Sequence, residues 1–135
     1  MITFSDKKIY NQNDLIELYE SVGWTNYTKD SQVLANAIKH SLYVYTAWDN
    51  GTLIGLIRCI GDGTTILYIQ DILVRPDYQH IQVGSTLMKH TLDHFPDIRQ
   101  KVLLTEETPK TRKFYEKFGF SSCDQGTLVA FYRSF

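Results

Sequence analysis

The sequence predicts an α+β domain: a mixed, mostly antiparallel sheet of about six to seven strands with about four helices packed on it. Three observations predict it. Apolar residues recur at helical spacing within 14–38, and again over 84–95 and 109–118. Between the first two of these regions, aromatic and β-branched runs broken at Asp49-Asn50-Gly51 and Gly61-Asp62-Gly63 read as three consecutive antiparallel strands. No repeat, low-complexity tract or Pro/Gly/Ser linker divides the 135 residues, so one domain over 1–135 is expected.

The elements follow in order. MITFS alternates and reads as a first strand. Asn13-Asp14 offers a helix start, with Glu17 three residues after Asp14 as in a capping box. Leu15, Leu18, Tyr19 and Val22 then form one buried face, and Gly23 is the stop. A second helix starts after Asp30 and buries Val33, Leu34, Ala37 and Ile38. Strands are expected over Leu42–Trp48, Leu53–Ile60 and Thr65–Val74. Helix Gly84–Phe95 and a short strand Lys101–Thr105 come next. Thr108-Pro109 is a cap followed by proline at the first helical position, and Gly119 ends that helix. Phe120–Cys123 and Thr127–Arg133 read as two closing strands around Gly126.

Composition narrows the function. The hydrophobic fraction is 43% and the charged fraction 21%, enough for a core and unlike a disordered chain. Fourteen Lys+Arg against 15 Asp+Glu leave a net charge of −1, which argues against a nucleic-acid partner. No apolar run approaches the ~20 residues that span a bilayer, so no membrane partner is expected. The N-terminal stretch lacks an apolar h-region, so the expectation is a cytoplasmic protein. Cys59 and Cys123 form no CxxC pair and read as reduced thiols.

The most informative stretch is Asp71 to Ser85. Pro76 ends a strand, because it has no N–H for the ladder. A polar loop then feeds an amphipathic helix whose first N–H groups have no intrahelical partner. Such a junction is matched to an anion such as a pyrophosphate. It also suits a plain tight turn, and GxGxxG and GxxxxGK[ST] are absent. On the first reading Gln79, His80, Ile81, Gln82, Val83, Gly84 and Ser85 line the anion, and Gly84 allows close backbone approach.

The residues themselves carry a resemblance. VRPDYQHIQVGSTLM resembles the acetyl-coenzyme A signature of the GNAT family of N-acetyltransferases, V-x-P-x-[YW]-[RQ]-x-x-G-x-[GA]. Val74, Pro76, Tyr78, Gln79 and Gly84 match. TPKTRKFYEKFGF is similar to the family's N-x-x-A-x-x-F-Y-x-x-x-G-F block through Phe114, Tyr115, Gly119 and Phe120. Gln82 stands where the family has its first loop glycine; its side chain either crowds the phosphates or points outward. Thr108 replaces the usual Asn and Thr111 the usual Ala.

The resemblance implies direct acetyl transfer from acetyl-coenzyme A to a primary amine, without a metal. It implies that backbone groups of Leu73 and Val74 face the pantetheine arm, with Thr108 nearby. It places Tyr115 beside the departing thiolate as the acid; the alternative is a core tyrosine. Asp71 is the candidate base, since an amine with pKa ~10.4 must lose a proton to attack. Its alternative is a strand-end carboxylate bonded to backbone or to Arg75. Trp24, Tyr27 and Tyr68 are candidates for the acceptor wall, although Trp24 could simply pack the helix end into the core. The acceptor is expected to be a small molecule. A protein or peptide amine, or a non-catalytic acyl-coenzyme A-binding module, are the alternatives. The resemblance also implies that two copies could pair as a homodimer through the C-terminal FYRSF strand. Outside these motifs, His90 and His94 lie four apart without HExxH, and Lys110, Arg112 and Lys113 form a basic cluster. Both read as solvated helix faces.

Overall fold

The computed structural model describes residues 1–134 and divides the chain into two compact units, Met1–Leu104 and a second from Thr105 onward. The first unit holds one five-stranded sheet in the order β1-β2-β3-β4-β5. The strands are β1 (Ile2–Ser5), β2 (Tyr43–Asp49), β3 (Thr52–Gly61), β4 (Ile66–Val74) and β5 (Gln100–Leu103). The first four pair antiparallel, and β4 with β5 parallel. A parallel pair needs a crossover, and α4 (Val83–His94) supplies it. The β2–β3 turn is made by Asn50 and Gly51, both at positive φ, as a two-residue hairpin requires.

Alternation along β3 sorts the layers. Leu56 joins Leu15, Leu18, Tyr19, Leu34, Ile38, Val44, Leu53 and Leu73 in one core under α1 (Gln12–Ser21) and α3 (Ser31–Lys39). Gly55, one residue earlier, faces α4. A Cβ there would stand 3.2 Å from Val83 Cγ1 and 3.4 Å from Leu87 Cδ1. The missing side chain therefore lets the start of α4 seat closely on the sheet.

Several expectations change. α1 starts earlier than Asn13-Asp14 suggested. Asn11 is the cap, and its side chain and the Asp14 carboxylate each accept the other's backbone N–H, at 2.9 and 3.1 Å. Glu17 is instead paired with Arg75 at 3.5 Å. A short helix α2 (Thr25–Thr28) was not anticipated. The second unit holds helix α5 (Pro109–Lys117). The closing strands expected over 120–123 and 127–133 are not formed. A single 3₁₀ turn, Cys123–Gln125, occurs there, and 127–134 has no regular structure. Arg112 grips Asp124 at 3.0 Å and Ser122 bonds the same carboxylate, which favours a turn over an extended chain. A β-prone segment becomes a strand only by pairing, and Leu128, Val129, Phe131 and Tyr132 are exposed. Phe135, the last residue of FYRSF, lies outside the described residues.

Candidate active site

A charged residue in the strand LIGLIRCI needs a partner, because β3 is buried along most of its length. Arg58 finds it directly across the ladder in Asp71 of β4. Arg58 Nε donates to Asp71 Oδ2 at 2.8 Å, and the two side chains are only 6% and 2% exposed. The Tyr19 hydroxyl of α1 donates to the same oxygen at 2.9 Å. The other oxygen, Oδ1, receives the Tyr27 hydroxyl of α2 at 2.6 Å. Four elements thus meet at one carboxylate. Burial opposes the charge on Arg58, but the field and hydrogen bond of Asp71 outweigh it and raise the guanidinium pKa. Burial, followed by the charge of Asp71, pushes the Tyr19 phenol far up. Burial and the bond to Asp71 also raise Tyr27, against a smaller opposing effect of Gln70. Both tyrosines are therefore protonated donors near neutral pH.

A β-bulge makes this meeting possible. The β3–β4 register shifts between Arg58/Asp71 and Cys59/Ile69, leaving Gln70 as the extra residue. In an unbroken strand Gln70 and Asp71 would face opposite ways. Here both reach one hydroxyl, with Gln70 Nε2 donating to Tyr27 Oη at 3.3 Å. Tyr68 is half-buried on β4, two residues before Gln70. Trp24, Tyr27 and Tyr19 form a ring cluster with centroids 4.9–6.1 Å apart. Trp24 is half-buried and packs against the α1/α3 core. Gly23, at φ +80°, delivers it there: the Gly23 and Trp24 N–H groups donate back to the Glu20 and Tyr19 carbonyls at 2.9 and 3.0 Å.

Further along β4 the features are backbone ones. β5 pairs only with Ile66–Ile69, so residues 70–74, which include Leu73 and Val74, have no strand partner on that side. The chain leaves the sheet at Arg75, whose N–H and Nε donate to the Ile54 and Leu53 carbonyls, both at 2.8 Å. These two carbonyls sit where the β2–β3 register also shifts. Gln79 Nε2 folds back to the Val74 carbonyl at 2.9 Å, and Tyr78 donates to Asp49 at 2.6 Å. His80, Ile81 and Gln82 are exposed. Gln82 precedes α4 at φ 69°, the left-handed region, and makes no side-chain cap. This is the position where the resemblance expects glycine, and the conformation explains why. The Gln82 side chain is exposed. The first backbone bond closing α4 is Thr86 N–H to the Gln82 carbonyl, so the Val83 and Gly84 amides have no intrahelical acceptor. An open strand edge followed by a bare helix start fits a ligand with an amide-bearing arm and a pyrophosphate.

In the second unit Thr108 caps α5 by accepting the Thr111 N–H at 3.1 Å, and its own hydroxyl donates to Thr111 Oγ1 at 2.7 Å. Tyr115 is half-buried, edge-on to Phe114 and Phe120. Burial raises its pKa, against a hydrogen bond with Thr105. The phenol is thus protonated at neutral pH, as an acid must be. Arg112 of the basic cluster is committed to Glu107, at 2.6 Å, and to Asp124. His90 and His94 stack on Tyr45 and Tyr43 with centroids 3.6 and 4.3 Å apart. Among the described residues no group of three or more His, Cys, Asp or Glu is placed to hold a metal, and no helix is long and apolar enough to cross a membrane.

The structure brings Asp71, Tyr27 and Trp24 together, and adds Arg58, Tyr19 and Gln70, which sequence reasoning missed. The lone Arg58 in an apolar strand was a usable signal. Tyr19 was indistinguishable from its apolar neighbours on α1.

Known proteins share this fold. The model of the acetyltransferase (GNAT) family matches residues 9–120. A GNAT-family acetyltransferase structure from Streptococcus pneumoniae TIGR4 is 38% identical, with a TM-score of 0.88 over 99% of this chain and 98% of that one. The uncharacterized N-acetyltransferase ycf52 of Porphyra purpurea is 25% identical over 97% of this chain and 76% of its own length. An aminoglycoside acetyltransferase from an uncultured soil metagenomic sample, solved with sisomicin, shares the fold at 15% identity and a TM-score of 0.73, covering 99% of this chain and 96% of that one. With the matched family spanning both the sheet and α5, the chain belongs to the GNAT acetyltransferases, acetyl-coenzyme A-dependent acyltransferases.

Proposed function

We propose that this chain acetylates the primary amine of a small molecule by direct transfer from acetyl-coenzyme A. The observation that carries this reading is the composition of β4. Its open edge and the start of α4 suit the cofactor, while the bulge at Gln70 sets Asp71 against a cluster of aromatic rings that suits an amine. When bound, acetyl-coenzyme A supplies the activated acetyl group. Leu73 and Val74 offer backbone groups to its arm, and Gln79 through Ser85 surround its phosphates. Trp24, Tyr27 and Tyr68 line the acceptor. Asp71 takes the amine's proton, and Tyr115 returns one to the leaving sulfur.

The test is thiol release from acetyl-coenzyme A with 2-phenylethylamine, spermidine, an aminoglycoside and a lysine peptide. Turnover of a small amine without peptide labelling is expected. Labelling of the peptide alone would shift the reading to a protein substrate. Tyr115→Phe should lower kcat by about 100-fold, within the range for a lost general acid, and leave the calorimetric affinity for acetyl-coenzyme A unchanged. Wild-type kcat in that variant would remove the acid role.

A further inference from the structure

Asp71 is only 2% exposed, so an amine cannot touch the residue proposed to take its proton. Its two oxygens are not equivalent. Oδ2 is held by Arg58 and Tyr19, while Oδ1 has a single side-chain donor, the hydroxyl of half-buried Tyr27. That hydroxyl gives its proton to Asp71. On its outer side it accepts from Gln70, at the longer distance of 3.3 Å. A phenol oxygen that donates its O–H accepts mainly one bond, in the ring plane, so an ammonium takes the place of the long Gln70 contact with a stronger, charge-assisted bond.

We propose that Tyr27 is the catalytic residue that receives the acceptor amine and relays its proton to Asp71, which acts only through it. The inference rests on the acetyl-transfer reading of the same site. An ammonium donates an N–H to Tyr27 Oη. As that proton moves to the oxygen, the Tyr27 proton moves 2.6 Å along its existing bond to Asp71 Oδ1. The amine becomes neutral, the tyrosine remains a neutral phenol, and Asp71 becomes a neutral acid with Arg58 still at its other oxygen. The neutral nitrogen then forms its bond to the acetyl carbon, and the carbon–sulfur bond breaks with its electron pair going to sulfur. The extra proton left on nitrogen passes to that thiolate, giving a neutral amide and thiol. Asp71 returns its proton to solvent through Tyr27 once the products leave. The charged and titratable groups facing Tyr27 are Asp71 from β4, Arg58 from β3 and Tyr19 from α1. The raised pKa of Tyr27 agrees with a hydroxyl that passes a proton on without losing charge itself.

The test is Tyr27→Phe, which keeps the ring against Tyr19 and Trp24 and removes only the oxygen. With the amine turned over fastest by the wild type, kcat/KM near pH 7 should fall about 100-fold. The deficit should shrink as pH approaches the amine's own pKa of ~10, where the free base needs no relay. A merely structural role would give the same deficit at every pH, and that result would overturn the relay. A second reading avoids turnover altogether: calorimetric binding of 2-phenylethylamine without acetyl-coenzyme A should weaken about tenfold in the variant, as for one lost hydrogen bond to a charged group. Unchanged affinity counts against the contact. Gln70→Leu removes the neighbouring donor but spares the Tyr27–Asp71 bond, so any loss should be the same factor at every pH. A pH-dependent loss there would also overturn the relay through Asp71. If the wild type releases thiol with no amine, the acetyl-transfer reading itself fails and the relay goes with it.

Discussion

Two stretches of β4 only a few residues apart are built in opposite ways. At Asp71 the structure is a knot of side chains, with donors arriving from α1, α2 and β3 onto a buried carboxylate. From Leu73 into α4 it is backbone: a strand edge without a partner, a proline, and a helix start without a side-chain cap. Side-chain knots resist change, because every buried member depends on the others being present. Backbone cradles resist only bulk and charge. The same strand therefore holds a tightly bonded side-chain cluster beside an open backbone edge.

The comparison can be broken at either end, and the largest effect is expected at the knot. Arg58→Met leaves the Asp71 charge buried and unpaired, which should cost about 3–5 kcal/mol in denaturant unfolding. Adding Asp71→Leu should recover only part of that, because no lone charge then remains but the buried Tyr19 hydroxyl loses its acceptor. Acetyl-coenzyme A affinity of the folded protein should move little, since the cradle uses neither side chain. A comparable loss of affinity would mean that the two stretches are coupled. Gly84→Asp is the converse. It places bulk and negative charge at the start of α4 and should weaken acetyl-coenzyme A binding about 100-fold by calorimetry, with a thermal midpoint close to that of the wild type. Wild-type affinity would move the phosphate site elsewhere. The smallest effect is Gln82→Gly. A left-handed non-glycine residue costs about 1–2 kcal/mol and an added glycine costs about 0.5–1, so a gain of about 0.5–1 kcal/mol in stability is expected. A loss would show that the Gln82 side chain contributes contacts that offset its strain.

Legibility followed the same division. The strand-to-helix junction was readable because backbone chemistry is written in local punctuation: Pro76, the polar loop, Gly84 and the spacing between them. The hairpins and helices were readable for the same reason, through Asp49-Asn50-Gly51 and Thr108-Pro109. The knot was readable only in part. Asp71 and Tyr27 stood out singly, but the bond between them spans 44 positions, and the bulge at Gln70 that turns Asp71 and Gln70 to one face has no local mark. Periodicity alone would have set those two residues on opposite faces. The closing strands failed for a related reason. Thr127–Arg133 has strand composition, but a strand is a relation between segments, and propensity does not supply the partner. Helix α2 is four residues long and too short for any periodic signal.

Arg75 has a consequence for motion. Its amide and its guanidinium hold consecutive carbonyls of β3, and the Gln79 side chain returns to Val74. The loop after β4 therefore does not begin to move where the strand ends. Its first residue is tied to β3 by two hydrogen bonds and opens at a higher free energy than the exposed residues beyond it. Within five residues, at exposed His80 and Ile81, opening costs little. A steep gradient of local stability thus runs along the loop, anchored toward the chemistry and loose toward solvent. The loop beyond Gln79 can therefore move while Arg75, and Asp71 behind it, keep their bonds.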